Sequence, residues 1–290
     1  MGEARTETVM LNGKPFFLRH WGDENLPKLL MLHGFPEYGG AWADLAPLLS
    51  ERFHCTAPDQ RGYGQSWRPG DAEYYKVSLL VSDMVALIGE DPVYLLGHDW
   101  GASVAYALAI GRPDLVRKLV IMNGVHPALF QRELAKGGAQ TDASQYIHFL
   151  RREGSEDVLA ADDFAKLMGL FSANMGMDWL QGEMLAGYKA AWRDASGLRG
   201  MINWYRASPI KLGGPGAASP DVKPYDPARL QVRCPHLLIW GKADTALLPE
   251  TTMGLEGFAP DMTRVEIDGA DHWLHHQKPR EVADAILNWI

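Results

Sequence analysis

Residues 93–111 read Val-Tyr-Leu-Leu-Gly-His-Asp-Trp-Gly-Ala-Ser-Val-Ala-Tyr-Ala-Leu-Ala-Ile-Gly. A short apolar run, 93–96, leads directly into Gly97-His98-Asp99-Trp100-Gly101, and a segment of small and apolar residues, 102–110, follows and closes at Gly111 and Pro113. The first run suits a buried strand, and a helix that is small and apolar all round is one packed deep against a sheet. Between them the two glycines permit a tight, strained turn that pushes the middle side chain, Asp99, out above the sheet.

Working outward, similar apolar runs bounded by Gly, Pro or Asp recur at 29–32, 53–57, 119–122, 237–240 and 264–267. Segments 6–11 and 15–21 flank Asn12-Gly13 and read as a hairpin, because that pair supplies the positive φ angles of a tight turn. The runs alternate with amphipathic stretches. In 74–88, Val77, Leu80, Val81, Met84, Val85 and Ile88 share one helical face, and 279–290 opens with Pro near its first turn. The pattern predicts an α/β fold: a mostly parallel sheet flanked by helices on both faces.

From Val125 to about Asp226 the strand rhythm stops, and Met- and Trp-rich helical segments take over at 143–152, 162–174, 178–195 and 198–206. They are followed by 211–223, a Gly-, Pro-, Ala- and Ser-dense stretch that reads as a loop. The expected organisation is a core of 1–126 and 226–290 with an all-helical cap, 127–225, inserted over the carboxyl edge of the sheet, where open α/β sheets bind ligands.

Composition narrows the function classes. Of 290 residues, 47% are hydrophobic and 22% charged, which excludes a disordered or collagen-like chain. The 36 acidic and 28 basic residues give a net charge of −8 with no basic run, so nucleic acid is not an expected partner. Residues 1–20 alternate polar and apolar, and no 18 apolar residues run uninterrupted, so neither a signal peptide nor a membrane span is expected and a cytoplasmic protein is. Cys55 and Cys234 lie in separate strand-like runs and read as buried thiols. No ligand cluster or Gly-rich dinucleotide loop calls for a metal or organic cofactor. Composition permits a monomer or a homodimer equally.

Asp99 in such a turn is a candidate nucleophile. Attack on a saturated electrophilic carbon would give an ester that water can cleave. The water step needs a base, and His272 in Gly269-Ala270-Asp271-His272-Trp273 follows the 264–267 strand. Asp244, in Trp240-Gly241-Lys242-Ala243-Asp244, follows the neighbouring strand and is the expected acid partner. Asp271 is poorly placed to bond the imidazole of an adjacent residue, and Asn123, after the 119–122 strand, cannot serve as an acid. Backbone N–H groups of Phe35, in His33-Gly34-Phe35-Pro36, and of Trp100 are the expected oxyanion donors.

With Asp59-Gln60-Arg61-Gly62-Tyr63-Gly64-Gln65-Ser66 added, these motifs resemble the α/β-hydrolase-fold epoxide hydrolases along essentially the whole chain. The order Asp99, Asp244, His272 is that fold's order of nucleophile, acid and base. Within the helical insertion, Asn203-Trp204-Tyr205-Arg206 and Gln145-Tyr146-Ile147-His148-Phe149 look like the segments that carry the family's two epoxide-protonating tyrosines, Tyr205 and Tyr146. The resemblance implies conversion of a small or medium apolar epoxide to a vicinal diol, with His33, Phe35, Pro36 and Trp100 at the substrate pocket and no cofactor. Two other readings compete. A haloalkane dehalogenase would use the same Asp-His-Asp set, with Trp100 suited to a halide but Phe35 unable to donate a second side-chain bond. A non-enzymatic ligand-binding protein on the same fold would be expected to carry a broken constellation.

Overall fold

Arg5–Leu11 (β1), Lys14–Trp21 (β2), Lys28–Leu32 (β3), His54–Pro58 (β4), Val93–His98 (β5), Val116–Met122 (β6), His236–Gly241 (β7) and Met262–Ile267 (β8) form one sheet of order β1-β2-β4-β3-β5-β6-β7-β8. A computed structural model describes residues 4–219, 222 and 225–290. β1 and β2 pair antiparallel around Asn12-Gly13, β2 joins β4 antiparallel, and every later pairing is parallel. This is the expected hairpin followed by six strands, with β6 beginning three residues before its apolar run.

Both faces of the central strands are covered, which is why they read as continuous apolar runs rather than alternating ones. Leu30, Leu32, Leu95, Ile121 and Leu238 face the layer that holds Val77–Ile88 (α2) and Trp100–Gly111 (α3). Leu29, Met31, Leu96, Val120 and Ile239 face the layer of Ala46–Leu49 (α1), Leu274–Gln277 (α10) and Pro279–Trp289 (α11). The small residues of α3 are a packing requirement: a Cβ at Gly101 would stand 2.0 Å from the Leu32 carbonyl oxygen.

Among the described residues, six α-helices lie between β6 and β7, Pro127–Lys136 (α4), Ala139–Ala143 (α5), Tyr146–Leu150 (α6), Ser155–Phe171 (α7), Gly182–Trp192 (α8) and Ala195–Ala207 (α9). The sequence reading passed over α4, whose Arg132, Glu133 and Lys136 dilute its apolar face, and it began the next-to-last helix at 178 rather than Gly182. It started another at Asp162, where α7 breaks: Asp162, Asp163 and Phe164 take left-handed φ values of 50°, 54° and 66°. Residues 211–219 form a loop as expected, and the rest of that stretch lies outside the described residues save Val222. Among the described residues, no helix is long and apolar enough to cross a membrane.

Candidate active site

Asp99 sits between β5 and α3 with φ 48° and ψ −118°, a backbone region that non-glycine residues enter only when their surroundings force it. Its neighbours supply that force. The Phe35 N–H donates to Oδ1 at 2.8 Å, and the Trp100 N–H helps hold the carboxyl pKa down. A Cβ at Gly34 would stand 2.4 Å from the Asp99 Cβ, so the loop after β3 approaches the turn only because residue 34 has no side chain. The Phe35–Pro36 peptide is cis. Burial raises the Asp99 carboxyl above its ordinary pKa, opposed by the charges of His272 and His98 and by the two N–H donors.

His272 and Asp244 come from the loops after β8 and β7. His272 Nδ1 lies 2.8 Å from Asp244 Oδ2, and its Nε2 lies 3.7 Å from Asp99 Oδ2. Asp244 Oδ1 accepts from the Ala246 and Leu247 amides at 2.8 and 2.9 Å, while Asn123 Nδ2 donates to Oδ2 at 2.7 Å. Burial alone would lower the His272 pKa, but the Asp244 charge and hydrogen bond, with Asp99 and Glu37 behind them, bring it to about 9. Asp244 moves the other way: burial pushes it up, and His272, Asn123 and the Leu247 amide hold it below the usual carboxylate range. Asp271 turns elsewhere, onto the amides of Trp273 and Gly176.

Asp99 and His272 form part of the wall of a cavity of about 280 Å³, with Tyr146 and Tyr205 in the same wall and Leu167, Leu170 and Met175 among the apolar residues that complete it. Tyr146 opens α6 and Tyr205 lies near the end of α9, which Asp194 caps by accepting from the Gly197 N–H. Arg151 ties the two helices by donating to the Tyr205 carbonyl at 2.9 Å. The rings meet edge to face at 6.0 Å, and both tyrosines line the same cavity. Burial, with Asp99 nearby, raises both phenol pKa values well above 10, so both keep their protons at neutral pH.

Two expected pocket residues are placed differently. Phe35 and Pro36 line the cavity, but His33 is fully buried and accepts from the Gln60 N–H through Nε2 at 3.1 Å. Trp100 lies behind the tyrosines. Its ring packs edge to face on that of Tyr205 at 5.0 Å, and it lines a separate space of about 40 Å³ with Asp99, Tyr146, Tyr205 and Phe130. Both corrections have one cause: spacing places a residue near the strand ends, but packing decides which way its side chain turns. Met175 and Leu170 of the helical insertion reach the cavity, whereas Trp192 donates to the Pro36 carbonyl from a buried position.

Residues 27–279 match the alpha/beta hydrolase fold family. The chain belongs to that family. It is 30% identical to the AB hydrolase superfamily protein YfhM of Bacillus subtilis, over 100% of this chain and 99% of the relative. Epoxide hydrolase A of Mycobacterium tuberculosis is 28% identical over 100% of this chain and 98% of its own length. A solved structure described as one of the novel epoxide hydrolases of the alpha/beta hydrolases superfamily in metagenomes from hot environments superposes with a TM-score of 0.88 at 30% identity, covering 100% and 98% of the two chains. A haloalkane dehalogenase of Bradyrhizobium diazoefficiens is also similar, at 27% identity over 99% and 94%.

Beneath the site, this alpha/beta hydrolase buries a charge cluster that sequence reasoning did not assign. Glu37 is fully buried and accepts from the Gly34 amide at 2.9 Å, His98 Nδ1 at 2.8 Å, His275 Nε2 at 2.9 Å and the Tyr188 hydroxyl at 3.2 Å. His98 Nε2 continues to the His272 carbonyl at 2.9 Å. Burial would raise the Glu37 pKa, but His275 and His98 by charge, and His275 and His276 by hydrogen bond, hold it well below the usual carboxylate range. Among the described residues, Glu37, His98 and His275 alone are spaced to hold a metal ion, yet their ligand atoms are already bonded to one another. The only signal in the sequence was a lone glutamate among aromatics at Phe35-Pro36-Glu37-Tyr38.

Proposed function

We propose that the chain is an epoxide hydrolase that converts an apolar epoxide and water to a vicinal diol through an ester on Asp99, with residues 127–225 acting as a cap over the core. The observation that carries this reading is that a carboxylate, an imidazole and two phenols whose rings meet edge to face share the wall of one mostly apolar cavity. Asp99 Oδ1 is held by the Phe35 amide, which leaves Oδ2 as the attacking atom. It bonds to an epoxide carbon as the C–O bond breaks, and the freed oxygen takes a proton from Tyr146 or Tyr205.

Esterification removes the negative charge of Asp99, one of the causes that raise the His272 pKa. The imidazole then becomes easier to deprotonate at the stage where it must take a proton from water. The resulting hydroxide adds to the Asp99 carbonyl carbon, with the Phe35 and Trp100 amides holding the oxyanion; collapse breaks the ester C–O bond, the diol oxygen takes the proton of the carboxyl group so formed, leaving Asp99 ionised, and the imidazolium proton restores the phenol.

The second reading, haloalkane dehalogenase, has a similar relative in its favour. Against it, the Trp100 indole that would hold a halide packs edge to face on the Tyr205 ring at 5.0 Å and lies outside the main cavity wall. The test is the intact mass of a His272→Gln variant after exposure to a panel of apolar epoxides and, separately, of haloalkanes. An adduct of the full epoxide mass on Asp99 is expected. An adduct lacking halogen, formed from haloalkanes alone, would make the chain a dehalogenase, and no adduct from either panel would favour a binding protein.

A further inference from the structure

Residues 173–181 cross from α7 to α8 over the main cavity, and Ala173, Asn174 and Met175 form part of its wall. This crossing is fastened to the two loops that carry the acid and the base. Thr245, next to Asp244, donates its hydroxyl to the Ala173 carbonyl at 3.1 Å. Asp271, next to His272, accepts the Gly176 N–H on Oδ2 at 2.7 Å, and Gln277 donates its amide to the Gly176 carbonyl at 3.0 Å. Farther along, the Trp179 ring stacks on His276 at 3.8 Å with 3° between the planes.

Asp271 is itself built into its loop: Oδ1 accepts the Trp273 N–H at 2.9 Å, and its own N–H donates to Gln277 at 2.9 Å. The side chain therefore has one oxygen committed to the base loop and one committed to the cap, and its carboxylate is not bonded to the His272 ring. Fastening at a single backbone unit, Gly176, by one charged and one neutral partner is how a segment can be held shut yet released by breaking few bonds.

We propose that residues 173–181 are a gate over the cavity and that Asp271, with Gln277, is its latch. Asp271 is thus a positioning residue, which sets substrate entry, diol release and the bulk of substituent the cavity accepts. The assignment of what passes the gate rests on the epoxide hydrolase reading; the latch itself does not.

Asp271→Asn keeps a carbonyl oxygen for the Trp273 amide and sets an NH₂ group against the Gly176 amide. Thr245→Val removes the other fastening without touching the base loop. In ligand-free protein, hydrogen exchange of the amides in 174–179 should rise about tenfold in each variant, the loss expected for one such bond, while 270–275 stay within about twofold of the parent. With a bulky and a small epoxide, the ratio of their kcat/KM values should move toward the bulky one by about threefold or more. Unchanged exchange at 174–179 in both variants would overturn the latch, as would an equal rise at 270–275 in Asp271→Asn, which would make Asp271 a brace for its own loop. Because exchange is read without substrate, a loosened gate in a protein that turns over neither epoxide would overturn the functional reading and leave the latch standing.

Discussion

Asn123 donates its side-chain amide to Asp244 Oδ2 at 2.7 Å, the same oxygen that His272 Nδ1 approaches at 2.8 Å. Asn123 thus holds Asp244 in place, and its Oδ1 also accepts the Gly241 N–H at 2.7 Å, tying the end of β6 to the end of β7. Asn123→Ala leaves a buried carboxylate short of one donor and a buried amide unpaired. It should cost about 1–3 kcal/mol of stability and slow ester hydrolysis by about tenfold or more, with a smaller effect on ester formation. Single-turnover kinetics with denaturant unfolding separate the two effects. Equal slowing of both steps would mean that Asn123 does not act through Asp244.

Asp244→Asn removes the largest cause that raises His272, leaving burial in control. The imidazole pKa should fall from about 9 to below its ordinary 6.5, as read by NMR titration of the ring protons. A value that stayed near 9 would show that Asp99 or Glu37, and not Asp244, holds the proton.

Asp99→Asn should abolish turnover while leaving the protein at least as stable. The sign follows from the raised carboxyl pKa in the fold. Ionised Asp99 detracts from stability at every pH above its unfolded-state value, and this effect vanishes as pH falls below that value. The gain in Tm on substitution should therefore be larger at pH 8 than at pH 4. A gain of equal size at both would assign the effect to relief of backbone strain rather than to the charge.

Tyr146→Phe and Tyr205→Phe should each slow ester formation by about 10- to 100-fold and leave ester hydrolysis nearly unchanged, and the double substitution should slow it further. Stopped-flow fluorescence of the nearby tryptophans follows the first step directly. If the single variants slow hydrolysis as much as formation, the phenols are wall residues and not proton donors.

The sheet was legible because Asn12-Gly13 marks its hairpin and the strands after it contain short apolar runs cut off by Gly, Pro or Asp, and local composition decides that much. The turn at Asp99 was legible for a related reason, since Gly97 and Gly101 announce the bend that it occupies. What could not be read was direction and long-range pairing. His33 and Trp100 lie where their motifs put them, yet both turn away from the main cavity wall. Glu37 meets His98 across 61 residues and His275 across 238, a convergence that no local pattern encodes. The cavity wall mixes Leu167, Leu170 and Met175 of the insertion with Thr245 and Ala246 of the sheet's loops, and neither group differs in composition from its buried neighbours.

Gly34 has a consequence for how this scaffold could be altered. Its absent Cβ occupies no space, and the Asp99 side chain fills what it leaves. The loop that stabilises charge and the turn that bears the reactive group are interlocked. A laboratory lineage that explores new nucleophiles at position 99 can do so with position 34 untouched, but any side chain introduced at 34 must first displace the group it was meant to assist. Libraries built on this chain should keep residue 34 as glycine and vary the gate and the far wall.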